Sequence, residues 1–259
     1  MITSYFVDSL KINKGDIILL TGDLTSLLLK IIQKNNNKKI IIKIINQIID
    51  SIIKKIGKDG TLLIHTFNWD FCKGLAFDIK RSKCQTGILG KIALEREDFL
   101  RTQHPIYSFA VYGKYAYYLS NLKNKGSFSC DSPFGFLHKK NGKQIIIDMS
   151  LKDAFTFSHY VETINNVNYR FNKTFTALYT DIENKTETRQ YDMYVRNLEL
   201  GVINNIEPLE NIFIQNKAMC IDYFYEIKIR TVNLAMAFDI IENDILNNKA
   251  KNLYQIIKK

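Results

Sequence analysis

Cysteine is scarce and unpatterned in this chain. The four residues, Cys72, Cys84, Cys130 and Cys220, are irregularly spaced and form no Cys-x-x-Cys pair. That leaves no basis for a zinc ribbon or a disulfide framework and predicts free thiols with no metal site. Proline is rarer still, at three residues in 259, and no Gly/Ser-rich stretch divides the chain. One continuous domain over residues 1–259 is therefore expected, rather than modules on linkers. No apolar run approaches the roughly 18 residues needed to cross a bilayer. The first fourteen residues lack a basic start followed by an apolar core, so no signal peptide is expected. These absences exclude a membrane partner and predict a cytoplasmic protein. No zinc finger, RNP-like aromatic pattern or basic helix with heptads occurs, so nucleic acid is not the expected partner either.

Apolar residues are plentiful, at 46%, which suffices for a large core. The net charge of +10 lies largely in Asn/Lys/Ile-rich stretches. A basic surface favours anionic partners and repels polycations.

The apolar patterning alternates between two periods. Residues 16–21 read as a buried strand, 22–26 as a turn of small and capping residues, and 27–32 as a helix. A strand, such a turn and a helix start together form a candidate anion site, because backbone N–H groups point outward there. Residues 35–39 are a polar break. Isoleucines at 41, 45, 48, 52 and 56 give helical spacing over residues 40–56. Residues 61–65 are a second buried strand, so the first half predicts a βαβ crossover and a partly parallel sheet. The stretch 66–86 has no period and carries Phe67, Asn68 and Trp69, candidates for the wall of a substrate pocket or for plain core filling. Further helices are expected at 87–97, 115–122 and 232–246. Strands are expected at 108–112 and 144–148, and at 219–230. Strands at 174–180 and 188–194 flank a polar turn and predict an antiparallel hairpin. The expected fold class is α/β, a mixed, partly parallel central sheet flanked by helices with an added antiparallel hairpin region.

The chemistry concentrates in Asp153-Ala-Phe-Thr-Phe-Ser-His-Tyr-Val-Glu162. With Thr156 as N-cap, His159 falls in the first turn of a helix and shares a face with Glu162. The positive end of the helix dipole keeps such a histidine neutral, and a carboxylate beside it fixes its tautomer. A neutral imidazole so held is a general base near pH 7. Taken alone, the pair reads more readily as a half-buried histidine with an ordinary polar neighbour.

Several blocks then occur in a telling order: Gly60-Thr61-Leu62, His65-Thr66-Phe67, Thr86-Gly87, Arg101-Thr-Gln-His104-Pro105-Ile-Tyr107-Ser108-Phe-Ala-Val-Tyr-Gly113, Asp131-Ser132-Pro133, Gly142-Lys143 and Thr156-Phe-Ser-His159-Tyr-Val-Glu162. Over about residues 15–180 the chain resembles the aminoglycoside 3-N-acetyltransferases and their relatives, the antibiotic acetyltransferase family. The resemblance implies an α/β enzyme that moves an acetyl group from acetyl-coenzyme A to an amine on a sugar-like ring. It implies His159 as general base and Glu162 as its orienting partner. Leu24, Thr25 and Ser26 are implied against coenzyme A phosphates or the pantetheine arm, with Ser108 near the cofactor. Asp131 joins the candidate substrate-binding residues. His104, before a proline, is expected to hold a turn. The chain departs from the family pattern in two places. Thr21-Gly22-Asp23-Leu24-Thr25 stands where a His-Ser-Ser-Leu-Ser turn is usual, and His65-Thr66-Phe67 stands where Pro-Thr-Phe is usual.

The charge balance led the substrate expectation. A protein at +10 should attract an anionic, nucleotide-linked amino sugar, of the kind used for surface polysaccharide, better than a polycationic aminoglycoside. Aminoglycoside acetylation is the alternative within the fold. A basic, non-catalytic binding module on the same fold is the alternative of another class, favoured by Asp23 and opposed by the His159–Glu162 pair. The sequence leaves the oligomeric state open, a homodimer included.

Overall fold

The computed structural model describes residues 2–32 and 38–257. The chain opens with helix α1 (Ile2–Ser9), strand β1 (Ile17–Gly22), helices α2 (Thr25–Ile32) and α3 (Lys38–Ile56), and strand β2 (Thr61–His65). The aperiodic stretch that follows holds a short 3₁₀ turn (Phe71–Lys73) and strand β3 (Phe77–Asp78). Next come α4 (Ile88–Leu94), β4 (Leu100–Arg101), β5 (Phe109–Gly113), α5 (Ala116–Ser120) and α6 (Pro133–Lys139). Strand β6 (Lys143–Ile147) leads into α7 (Leu151–Ala154) and α8 (Ser158–Ile164). A hairpin of β7 (Arg170–Thr180) and β8 (Thr186–Arg196), then β9 (Val202–Asn204) and α9 (Leu209–Gln215), precede a second hairpin of β10 (Met219–Phe224) and β11 (Ile227–Asn233). The described chain ends with α10 (Leu234–Asn248) and β12 (Tyr254–Ile256).

Seven strands form the central sheet in the order β10-β11-β6-β1-β2-β5-β4. Its middle, β6-β1-β2, is parallel, and the flanking pairs are antiparallel. The parallel strands are buried on both faces, which is why they read as unbroken apolar runs rather than alternating ones. The two faces are covered by different chemistry. One face packs on Ile44, Ile45, Ile48, Ile49, Ile52 and Ile56 of α3, with α1 and α4 beside it. Isoleucine loses χ1 freedom in a helix, so this helix depends on burying that stripe, at about 1.5–3 kcal/mol per side chain. The other face is aromatic, with Phe109, Phe134, Phe155, Phe157, Tyr160 and Phe213 under α6, α8, α9 and α10.

The β1–α3–β2 crossover and the β7/β8 hairpin form as the patterning predicts. Four details differ. Helix α1 was not read from the sequence. Residues 219–230 are two strands rather than one, because the chain reverses at Tyr225, whose φ is +53°. The polar break at 35–39 enters α3 at Lys38, and residues 35–37 lie outside the described residues. Finally, Thr156 does not cap α8. The helix starts after Phe157, which makes no side-chain capping bond, and Thr156 instead offers its carbonyl to His159 N at 3.0 Å.

A candidate active site at the carboxyl ends of the parallel strands

The crossover after β1 carries α3 to the isoleucine face, whereas the segment after β6 carries α8 to the aromatic face. The two connections therefore part at the carboxyl ends of adjacent parallel strands. That is the position at which open α/β sheets form ligand crevices. A cleft of about 760 Å³ lies there. Thr21, Asp23, Leu24 and Thr25 approach it from β1, His65, Phe67 and Trp69 from β2, Thr86 and Gly87 from the α4 approach, and Met149, Asp153, Thr156 and His159 from β6. Close approach shapes the floor. A side chain on Gly90 would meet the His65 carbonyl at 2.2 Å, so only glycine lets α4 sit this near β2.

His159 Nδ1 lies 2.7 Å from Glu162 Oε2, the i,i+3 pair brought onto one face by α8. Glu162 is buried, at 1% exposure, while the His159 side chain keeps 17%. Arg170 Nε on β7 stands 2.7 Å from the same Glu162 oxygen, and Arg170 is itself held by Asn204 Oδ1 at 2.6 Å. Burial pushes the Glu162 carboxyl up, but the hydrogen bond from His159 and the Arg170 charge outweigh it and hold Glu162 low and ionised. Burial, followed by the Arg170 charge, lowers His159 below the usual histidine range despite the pull of Glu162. A carboxylate only accepts, so Nδ1 carries the proton and Nε2 keeps its lone pair. The pair thus presents an oriented imidazole with one ring nitrogen left free by Glu162.

The other site candidates fall in several places. Leu24, Thr25, Phe67 and Trp69 line the cleft. Ser26 follows on α2 and is not among the lining residues. Asn68 is buried, donating to Lys83 O and accepting from Asp70 N at 2.9 Å each, and so shapes the loop rather than facing the cleft. Ser108 is fully buried. It donates to Thr66 O at 2.8 Å and accepts from Arg101 Nε at 3.1 Å. Asp131 accepts from Ser129 Oγ and borders a separate depression with Tyr115, Tyr118 and Lys140. At the α2 start, Asp23 Oδ1 already accepts from Thr25 N at 2.8 Å, so its own carboxylate occupies part of the predicted anion site.

Two features escaped the sequence reading. Arg170 and Asn204 back the histidine–glutamate pair from two later strands, β7 and β9, and nothing in local spacing marks them. The charge of the cleft is the second. Asp23 and Asp153 line it, with no lysine or arginine among its described lining residues. The basic balance of the whole chain does not extend to this crevice.

Fold and cleft together define a class, an α/β enzyme with a histidine–carboxylate pair at the switch point of a mixed sheet. The model of the aminoglycoside 3-N-acetyltransferase family matches residues 34–244, and the chain belongs to that family and is an acyltransferase. Solved structures of similar shape include YokD from Bacillus subtilis, 18% identical over 95% of this chain and 98% of that one, with a TM-score of 0.74. Aminoglycoside acetyltransferase AAC(3)-Xa is 17% identical over 93% of this chain and 92% of its own, with a TM-score of 0.73. AAC-IIIb in a binary complex with CoASH is 14% identical over 94% of this chain and 95% of its own, with a TM-score of 0.73. At these identities the likeness is one of fold. No curated protein matches the chain in sequence. No helix among the described residues is long and apolar enough to cross a membrane.

Proposed function

We propose that this acetyl-CoA-dependent N-acetyltransferase acts on a ring amine of a polycationic, aminoglycoside-like substrate, with His159 as the general base. The observation that carries the substrate class is the charge of the cleft. Asp23 and Asp153 with no lining lysine or arginine favour an ammonium-rich ligand and disfavour a diphosphate. The expectation of a nucleotide-linked amino sugar rested on the net charge of +10, and this local reversal removes its support. Family membership points the same way.

The residues present suit coenzyme A. Leu20, Leu24, Leu28, Ile32 and Ile64 give the cleft an apolar lining, and Thr156 and His159 add polar groups to it. The turn at Leu24 and Thr25 suits the pantetheine arm better than a phosphate, because Asp23 already satisfies the Thr25 N–H. When bound, the coenzyme supplies an acyl group activated as a thioester. The protein must then supply a neutral nitrogen, since an ammonium has no lone pair. His159 Nε2 accepts the amine proton as the nitrogen bonds the acyl carbon, and the imidazolium can return that proton to the sulfur released when the C–S bond breaks. Glu162 holds the ring and offsets the imidazolium charge as it forms, and Arg170 keeps Glu162 ionised beforehand. Such general-base help is typically worth about 10²–10⁴-fold.

Steady-state thiol release with acetyl-CoA, comparing an aminoglycoside such as sisomicin with a nucleotide-diphosphate amino sugar, tests the reading. The higher kcat/KM is expected for the aminoglycoside. Faster turnover of the nucleotide sugar would overturn the substrate assignment, and transfer to neither would overturn the function.

A further inference from the structure

His65 sits at the end of β2 on the floor of the cleft, yet the base chemistry makes no use of it. It is 6% exposed, and its Nε2 is buried with no hydrogen-bond partner among the described residues. Its protonation state can be read from its neighbours. Gln144 Nε2 donates to Ala154 O at 2.9 Å and to Thr21 Oγ1 at 3.0 Å. Thr21 Oγ1 therefore spends an acceptor site on Gln144, and among the described residues the acceptor its own hydroxyl proton meets is His65 Nδ1, at 3.5 Å. A nitrogen that accepts this proton carries none of its own, so in the neutral ring the proton sits on Nε2. Burial lowers the ring to about 3, so it stays neutral through the physiological range. The tilted Phe67 ring, 4.4 Å away centre to centre, and α4 behind Gly90 hold it in place.

A buried N–H without an acceptor is destabilising and is rare in native proteins. At the floor of a ligand cleft the missing acceptor belongs to a ligand. An ammonium group has no lone pair and cannot fill the role, whereas an acyl thioester and its pantetheine amides carry carbonyl oxygens. We infer that His65 is a positioning residue whose neutral Nε2–H donates to a carbonyl oxygen of the acyl donor. The inference rests on the acetyl-transfer reading above. Thr21 and Gln144 act through His65 by fixing its tautomer.

Calorimetric binding of acetyl-CoA to wild type, His65→Phe and His65→Gln separates the possibilities. The phenyl ring keeps the packing against Phe67 without a donor, and the glutamine amide returns a donor at a similar reach. His65→Phe is expected to weaken acetyl-CoA binding about tenfold, with His65→Gln recovering to within about threefold and the KM for the amine substrate unchanged in both. Imidazole ¹⁵N spectra of the wild type need no variant to fold. They are expected to show His65 protonated on Nε2 and that N–H signal moving when acetyl-CoA is added. Binding by His65→Phe within about twofold of wild type, a loss confined to the amine KM, an Nδ1-protonated ring, or an N–H signal unmoved by acetyl-CoA would each overturn the inference. Failure of the wild type to bind acetyl-CoA would instead overturn the functional reading on which it rests.

Discussion

His104 and His159 are both placed by tight turns, and both are fixed through Nδ1, yet they do opposite work. His104 is 1% exposed. Its Nδ1 accepts from Ile106 N at 3.3 Å and Tyr107 N at 3.2 Å, and its Nε2 faces Ser127 Oγ at 3.3 Å. Every polar atom of that ring is spent inside the protein. His159 donates through Nδ1 to a carboxylate and leaves Nε2 at the cleft. The lesson is that a histidine's role follows from which nitrogen the scaffold consumes. The surroundings of His104 extend the point. Arg101 donates to Ser82 O at 2.6 Å and Thr66 O at 3.1 Å, and with Ser108 it pins the loop that carries Phe67 and Trp69 to the sheet. The Arg101–Ser108 block is therefore architecture, and the proposed chemistry lies in the block from Thr156 to Glu162.

Exchanging the two histidines' roles by mutation should give the largest contrast. His159→Asn is expected to lower kcat by about 10²–10⁴-fold while the calorimetric affinity for coenzyme A stays within about twofold. His104→Asn should do the reverse, costing roughly 1–3 kcal/mol of stability by urea titration with kcat per folded molecule nearly unchanged. Equal losses of kcat in the two variants would erase the distinction.

Glu162→Gln keeps an acceptor for His159 but removes the charge that offsets the imidazolium. A fall in kcat of about ten- to a hundredfold is expected. Indifference of kcat to this change would reduce Glu162 to a packing partner.

A finer test is Arg170→Gln. Arg170 lowers His159, so its loss raises His159 and moves the acid limb of the kcat profile to higher pH. An unmoved limb would show that Arg170 does not tune the base.

A last contrast concerns stability. Burial lowers His104 to about 4 and His65 to about 3. The folded state then binds fewer protons than the unfolded one, whose histidines titrate near 6.5. The associated stability is complete above about pH 6.5 and is lost as the pH falls toward about 4, with a slope of at most about 1.4 kcal/mol per pH unit for each ring. Denaturation midpoints measured across that range should decline more gently in His104→Asn. Midpoints that rise on acidification would contradict the assignment of buried neutral rings.

The sequence carried the local part of this account well. The apolar runs of β1 and β2 and the isoleucine spacing of α3 predict the crossover, because burial on both strand faces and one helix face writes itself into period and composition. His159 and Glu162 were legible because one helical turn joins them. Arg170 was not, since it reaches Glu162 from a different element. The Thr156 cap was misread because the chain turns through Phe155–Phe157 before α8 begins, a path set by aromatic packing rather than capping chemistry. The charge of the cleft was hidden for a similar reason. It is a property of which side chains converge, and the sum over 259 residues has the opposite sign.

The central claim is that His159 stands at the cleft as a neutral ring, protonated on Nδ1 toward Glu162 and free to accept on Nε2. A two-bond ¹H–¹⁵N spectrum of the imidazoles at pH 7 reads this directly. The account predicts a protonated Nδ1 and an unprotonated Nε2 for His159, with titration below the usual 6.5. A ring protonated on Nε2, or doubly protonated at that pH, would contradict it.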